Sequence, residues 1–435
     1  MTASRSRITR YFGPLWKNRD FCLLWGSLTI THFGGQITFL ALPLTAALLL
    51  NATPFEMGVL VALETLPYTL FGLFTGVLVD RSRKLPIIIT ADIGRGLALL
   101  AIPLAAWLNL LTMPLLYIVG FLVGAGSIVG WAAYQVFMTE RVGRENLLEA
   151  NSKIALSDSS AQLIGPGLAG MLIQWLTAPF AILLDAFSFF ASAWMLRNIP
   201  SAKTDTPKMS GTPSSLWQDI REGLALIWTN RILRSIAWGL GLWQLLKHMF
   251  IATVILYGTR ELELSAGQIG IIFTMGGIGC LLASFSVSRL NHMAGVGVTM
   301  LGGLFLTACA WLLIAATQKG LWARPGFGAA IFILDFGAML FFINYLSLRQ
   351  SVTPDALLGR VTSTMIFITI SFAPLGSLLG GALAEIMGLR MTIATAGIGG
   401  VLLTSLLMYC SPLAKMHVLP RPAPYSASTT EILPK

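Results

Sequence analysis

Apolar runs of about twenty residues return along the whole of this chain, and no other feature constrains its fold so strongly. A bilayer core about 30 Å thick is crossed by roughly 20 helical residues at about 1.5 Å each. Twelve such runs are legible, at 21–49, 54–79, 86–107, 114–140, 151–175, 178–196, 231–257, 266–290, 297–317, 326–350, 359–386 and 389–411. Gly, Pro or charge punctuates most of the gaps between them. Hydrophobic residues make up 55% of the 435 and charged residues 11%, too few polar groups to cover a water-facing surface. The sequence therefore predicts an all-α membrane protein whose main partner is the lipid bilayer.

Charge fixes its orientation. The first run is too long for a signal-peptide core and lacks a small-residue cleavage site, so it is expected to stay as an anchor. Arg5, Arg7, Arg10, Lys17 and Arg19 precede it. With that end in the cytoplasm, the same side collects Arg81, Arg83, Lys84, Arg141, Arg144 and Lys153, while the other keeps Arg260, Lys319, Arg324 and Arg390. This is the asymmetry of the positive-inside rule, and it predicts two cytoplasmic termini in a bacterial inner membrane. The net charge of +10 is scattered through short gaps and forms no nucleic-acid patch. Cys22, Cys280, Cys309 and Cys410 are too dispersed for a disulfide framework or a metal site.

Five regions follow: a cytoplasmic segment at 1–20, six spans over 21–196, a linker at 197–230, six more spans over 231–411, and a Pro- and Ser-rich tail at 412–435 that reads as disordered. In the linker, Leu216, Trp217, Ile220, Leu224, Ile227 and Trp228 form one helical stripe, expected to lie on the inner membrane surface or to extend span seven. The two sets of six are repeats. Trp16, Asn18 and Arg19 return as Trp228, Asn230 and Arg231, and Thr53, Glu56 and Gly58 return as Ser265, Gln268 and Gly270, both at an offset of 212. Val142 to Leu148 matches Val352 to Leu358, and Gly170 matches Gly380, at 210. Polar punctuation recurring at a nearly constant offset marks a duplication, and two parallel halves around a central pathway suit alternating access.

The gap after span two reads GVLVDRSRK, with Gly76, Asp80, Arg81, Arg83 and Lys84. It resembles the loop signature of the major facilitator superfamily, and LPYTLFGLFTGVLVDR at Leu66 to Arg81 is similar to the drug:proton antiporter branch that holds macrolide-efflux and siderophore-exporting members. In span five, Gly165, Pro166 and Gly170 resemble the exporter signature GPxxGG, with Ala169 replacing one Gly. Further matches at LLDAFSF (Leu183 to Phe189) and PDALLGRV (Pro354 to Val361) extend the resemblance from Asn18 to Gly388. It implies the major facilitator fold, twelve transmembrane helices in two six-helix halves, with Asp80 closing the cytoplasmic gate and spans one, four, seven and ten lining the cavity. One element is absent: the superfamily's span-four Arg falls at Gly120, so its coupling role does not carry over. The span-five glycines also fit GxGxxG, with Asp185 downstream, but no strand precedes them and a dinucleotide site is rejected.

Ionisable groups inside spans are costly and mark function by default, with helix-to-helix hydrogen bonding as the plain alternative. His32 and Glu64 fall at similar mid-membrane depth and are natural partners; Lys247, His248 and Asp335 share the second half, where Lys247 and Asp335 are candidates for a pair; Asp158 sits nearer the inner face. Gln36 and Asn344 add polar groups, and Trp131, Tyr134 and Gln135 offer stacking surfaces and an amide on span four. Asp92 and Arg95, one turn apart, are expected to pair with each other or with Glu140.

No nucleotide-binding motif exists, and no cofactor is expected. The expectation is a monomeric secondary transporter that exports an amphipathic small molecule, an antibiotic such as a macrolide or a siderophore, with protons as the coupling ion. A lysophospholipid or other lipid transporter is the alternative within transport. An integral-membrane enzyme is the alternative outside it, disfavoured because His32, His248, His292 and His417 lie on four separate elements.

Overall fold

The computed structural model describes residues 14–80, 82–200, 224–353 and 358–418. Each expected span is a helix: α1 (Arg19–Leu48), α2 (Pro54–Asp80), α3 (Lys84–Trp107), α4 (Met113–Val142), α5 (Leu147–Leu176), α6 (Ala178–Arg197), α7 (Arg231–Leu256), α8 (Ala266–Ala294), α9 (Val296–Ala316), α10 (Ala323–Val352), α11 (Leu358–Ile370, continuing past Ser371 as Phe372–Met387) and α12 (Leu389–Cys410). Among the described residues nine helices qualify as membrane spans by length and composition alone. The molecule is an all-α, multi-pass membrane protein.

The polar residues that repeat between the halves turn out to be helix caps. The side-chain oxygen of Asn18 accepts the N–H groups of Asp20 and Phe21 at 3.0 and 3.2 Å, and that of Asn230 accepts those of Ile232 and Leu233 at 2.9 and 3.3 Å. Thr53 with Glu56, and Ser265 with Gln268, close reciprocal capping boxes at the starts of α2 and α8. In lipid a free backbone N–H has no water to turn to, so caps at helix starts are retained in both copies.

Packing is duplicated too. In the first half α1 lies against α5 and α6, α4 against α2 and α3, and α3 against α6; in the second, α7 lies against α11 and α12, α10 against α8 and α9, and α9 against α12. The halves meet along two seams, α2 with α11 and α5 with α8.

Two expectations need adjustment at the ends. The tail does not become irregular at 412: Pro412–Lys415 form a 3₁₀ turn, Leu413 is buried, and Gly297 donates its N–H to the Met416 carbonyl at 2.9 Å. A small residue at the start of α9 lets the chain cross there. Of the linker stripe, Leu216, Trp217 and Ile220 lie outside the described residues. Residues 224–229 are helical, with Ile227 buried in the second half's core and Leu224 and Trp228 exposed.

The α5–α6 turn places Thr177 at φ 69° and ψ 159°, while the matching α11–α12 turn has Gly388 at φ 87° and ψ 159°. That region belongs essentially to glycine and costs other residues about 1–3 kcal/mol. Thr177→Gly is therefore expected to raise the melting temperature of the purified protein, by relief that exceeds the roughly 0.5–1 kcal/mol entropic cost of a new glycine. Thr177→Val serves as control and should bring no gain. An equal or lower melting temperature for the Gly variant would show that the turn is not strained.

Candidate functional site

A cavity of about 510 Å³ opens inside the first half, between α1, α3, α4 and α6, with Tyr68 of α2 on its wall. Its floor is a polar network. Arg95 holds the Asp92 carboxylate one turn before it, Ser192 donates to the other Asp92 oxygen at 2.6 Å, and the Arg95 guanidinium lies 4.2 Å from the centre of the Phe189 ring. Asp185 accepts from Thr38 and, at 3.0 Å, from Ser188. Asp92 and Asp185 are almost fully enclosed, so these donors supply the hydrogen bonds that their carboxylates require inside a membrane. Asp92 and Arg95 thus pair with each other, as expected, while Glu140 sits 4.0 Å from Lys84. The sequence did not single out Asp185, Thr38, Ser127 or Tyr68 as cavity residues. The signal available was polar side chains on α6 at the spacing of one helical turn, Asp185, Ser188 and Ser192.

Above the network stands an aromatic pair. The rings of Trp131 and Tyr134 stack with centroids 5.8 Å apart and planes 6° from parallel. Tyr134 is buried and its hydroxyl has no hydrogen-bond partner among the described residues, whereas Trp131 is 47% exposed. Gln135 is exposed and does not line the cavity.

His32 lies at the cavity edge, but its partner is not Glu64. Its Nδ1 sits 3.2 Å from Asp158 Oδ1, and Gln162 donates to the second Asp158 oxygen at 2.9 Å. The correction follows from packing, because α1 lies against α5 far more than against α2. Glu64 is partly buried against α4, where a Cβ on Gly120 would come within 3.1 Å of its Cγ. No ion pair or hydrogen bond reaches its carboxylate among the described residues. Gly120 is the position at which the resemblance set out above would place an arginine.

The second half contains a counterpart with the roles exchanged. Asp335 of α10 lies over Gly276 of α8. Gly276 is the repeat equivalent of Glu64, and Asp335 that of Ala125, next to Gly124, which also contacts Glu64. Each half thus carries one carboxylate at the same helix crossing, but on opposite members of the pair. Lys247 is exposed on α7, and its charge and that of Asp335 act on each other without closing to an ion pair.

Three sequence candidates fall elsewhere. His248 is buried with its Nδ1 2.8 Å from the Gln244 carbonyl. Asn344 is buried and bridges α10 to α8, accepting from Asn291 at 2.8 Å and donating to the Leu340 carbonyl at 2.9 Å. Both serve helix packing, since an amide or imidazole buried between helices must satisfy its polar atoms locally. Gln36 packs on Gly165.

The span-five motif forms one of the two seams. A Cβ on Gly170 would lie 2.8 Å from both the Ala266 carbonyl oxygen and the Gly270 Cα; in the other seam a Cβ on Gly58 would lie 2.6 Å from the Ser377 carbonyl oxygen and 2.9 Å from the Gly381 Cα. Gly58 and Gly270 are repeat equivalents, so one duplicated glycine serves both seams. Nearby, Phe55 donates its N–H to Glu385 at 3.1 Å, Arg260 donates to the Ala52 carbonyl at 2.7 Å, and Phe39 meets Phe273 edge to face. These contacts cluster on the face opposite the described chain ends. On the other face, Asp80 ends α2, Arg83 is exposed and Lys84 is buried; the Asp80 side chain, Gly76 and Arg81 lie outside what the structure describes at that level.

A model of the Major Facilitator Superfamily matches residues 24–374. The chain belongs to the major facilitator superfamily. Among curated members it is 24% identical over 423 residues to the multidrug efflux pump Tap of Mycolicibacterium fortuitum, covering 94% of this chain and 98% of that one. To the enterobactin exporter EntS of Citrobacter koseri it is 25% identical over 431 residues, covering 94% and 99%. A mutant of the nucleoside transporter NupG shares its fold at a TM-score of 0.73 and 11% identity, covering 89% of this chain and 99% of that one. A bacterial homologue of the iron transporter ferroportin does so at 0.67 and 16%, with the same coverage. This superfamily member is a multi-pass membrane transporter with efflux pumps among its relatives.

If the glycine seams hold the far face shut, Gly381→Leu should wedge it open. Single cysteines placed beside Glu385 are expected to become several-fold more reactive toward a membrane-impermeant maleimide, and transport to fall at least tenfold. Gly94→Leu, where a side chain would meet nothing within 4 Å, should change neither. Unaltered labelling in Gly381→Leu would mean that the seam does not gate.

Proposed function

We propose that this superfamily member is a proton-driven exporter of an amphipathic small molecule working by alternating access, with both termini in the cytoplasm of a bacterial cell and one copy of the chain as the working unit. The observation that carries the reading is Glu64, a carboxylate in mid-membrane, packed on Gly120, where the resemblance would place a coupling arginine, and without a partner among the described residues. A carboxyl group so placed can take up a proton from one side and give it up to the other as the halves rock. Support also comes from the exporter-type glycines of α5 in the seam with α8, and from the similarity to the multidrug efflux pump Tap and the enterobactin exporter EntS. With cytoplasmic termini the face joined by the glycine seams is the outer one.

Glu64→Gln keeps the shape of the side chain and removes the titrating proton. In inverted vesicles this variant is expected to lose pH-gradient-driven accumulation of a fluorescent substrate while retaining downhill exchange. Should it still accumulate substrate uphill, Glu64 is structural and coupling passes to Asp158 or Asp335. Vesicles that move nothing across a broad panel and instead yield a chemical product would overturn transport itself.

Asp80 is assigned to the inner gate, where a carboxylate at a helix end can cap a neighbouring helix. Asp80→Asn is expected to insert normally and to raise cysteine reactivity from the cytoplasmic side. Unchanged reactivity and transport would reduce Asp80 to loop decoration.

A further inference from the structure

One corner of the second half carries positive charge that the chain does not answer. A cavity of about 430 Å³ opens where α7 begins and α12 ends, lined among others by Arg231, Arg234, Ser235, Tyr409, Ser411 and Lys415. No carboxylate lines it, and among the described residues none of its three cations has an ion-pair partner. Elsewhere on the same face Lys84, Arg141 and Lys153 lie 4.0, 3.3 and 3.1 Å from Glu140, Asp20 and Glu149. The positive-inside rule gathers cations on one side of the membrane but does not ask that they surround one hollow. Like charges so placed repel each other and attract an anion.

The first half does not share the arrangement. Arg19 is the copy of Arg231, but Cys22 stands at the place of Arg234 and donates to the Trp16 carbonyl, and the paired Asp20 and Arg141 correspond to Ile232 and Ser351. In the second half Ser235 and Ser411 give their hydroxyl protons to the carbonyls of Arg231 and Leu407. Arg234 spends one N–H on the Trp228 carbonyl at 3.2 Å, which holds its guanidinium in place. The remaining guanidinium N–H groups and the Lys415 ammonium are the donors left for a guest, and they suit a phosphate. Toward mid-membrane the surface turns apolar. Trp238 and Leu242 follow Arg234 and Ser235 at helical spacing on α7, Leu406 and Leu402 precede Tyr409 on α12, and all four are exposed. The two helices meet at this level, where a Cβ on Gly239 would lie 2.9 Å from Leu407 Cδ1.

We propose that this corner is a docking site for an anionic phospholipid, its phosphodiester held by Arg231, Arg234 and Lys415 and its acyl chains lying along the exposed stripe of α7 and α12. The ring of Tyr409, 89% exposed at the end of α12, sits at headgroup level between the two. A soluble phosphate uses the cations alone, whereas a lipid uses the cations and the apolar stripe that starts one helical turn from them. The lipid is a bound ligand of the second half and not cargo, since its site lies on other helices than the first-half cavity and Glu64. The proposal is therefore independent of what the protein exports.

Native mass spectrometry of the purified full-length protein counts bound lipids one by one. Dioleoylphosphatidylglycerol is expected to bind at least fivefold more tightly than dioleoylphosphatidylcholine, which has the same chains and no net charge. The triple variant Arg231→Gln, Arg234→Gln and Lys415→Gln should weaken the anionic lipid at least tenfold, at about fivefold for each cation near a membrane surface, and leave phosphatidylcholine within about twofold. Lys17→Gln, Arg19→Gln and Arg197→Gln together remove the same charge from exposed positions of the first half and should change neither lipid by more than about twofold. Arg231→Lys with Arg234→Lys keeps the charge, should hold most of the affinity, and guards against misfolding. Equal loss in both triple variants overturns the proposal, because charge anywhere on the face would then suffice, and so does no loss in the first. Equal binding of the two lipids to the unmodified protein also overturns it, the cations then being met by the chain itself. Glycerol 3-phosphate at millimolar concentration should not displace phosphatidylglycerol; if it does, the site serves a soluble phosphate and the lipid reading fails.

Discussion

Two glycine crossings govern this molecule. Lipid tails are as apolar as the helices they surround, so no hydrophobic drive pulls the halves together, and backbone-close packing has to supply the attraction. Gly58 against Gly381 and Gly170 against Gly270 provide it at one face, with the capping boxes of α2 and α8 ending in the same contacts. A side chain at any of the four would separate backbones by more than dispersion forces tolerate. Which face is closed depends on these few points.

Duplication builds the scaffold, and departures from it supply the chemistry. Caps, seam glycines and helix neighbours recur in both halves because lipid makes the same demands of each. The carboxylates do not recur: Glu64 and Asp335 occupy equivalent helix crossings of the two halves from opposite sides, and the Asp92, Arg95 and Asp185 network lies in the first half.

The spans, their number, the repeat and the family were legible in the sequence, because the period and length of apolar runs are set by a bilayer of fixed thickness and by backbone groups that must be satisfied within the helix. Cap residues such as Asn18, Asn230 and Ser265 were visible as matched pairs, since capping is local in the chain. Side-chain partners were not. Depth along a helix placed His32 level with Glu64, but depth leaves the direction around the helix axis open, and α1 turns that face toward α5, giving His32 to Asp158. For the same reason His248 and Asn344, plausible cavity residues by position, are consumed in bonds to neighbouring backbone and helices.

What the sequence determined by itself was therefore one-dimensional: where the chain crosses the membrane, how each helix starts, and that six crossings were copied. Only the tertiary structure decided which polar groups meet, because rotation of each helix is fixed by ridges, glycine gaps and neighbours far away in the chain. The cavity beneath Trp131 and Tyr134 is the clearest instance, its walls drawn from five helices that adjoin one another in space and not in sequence.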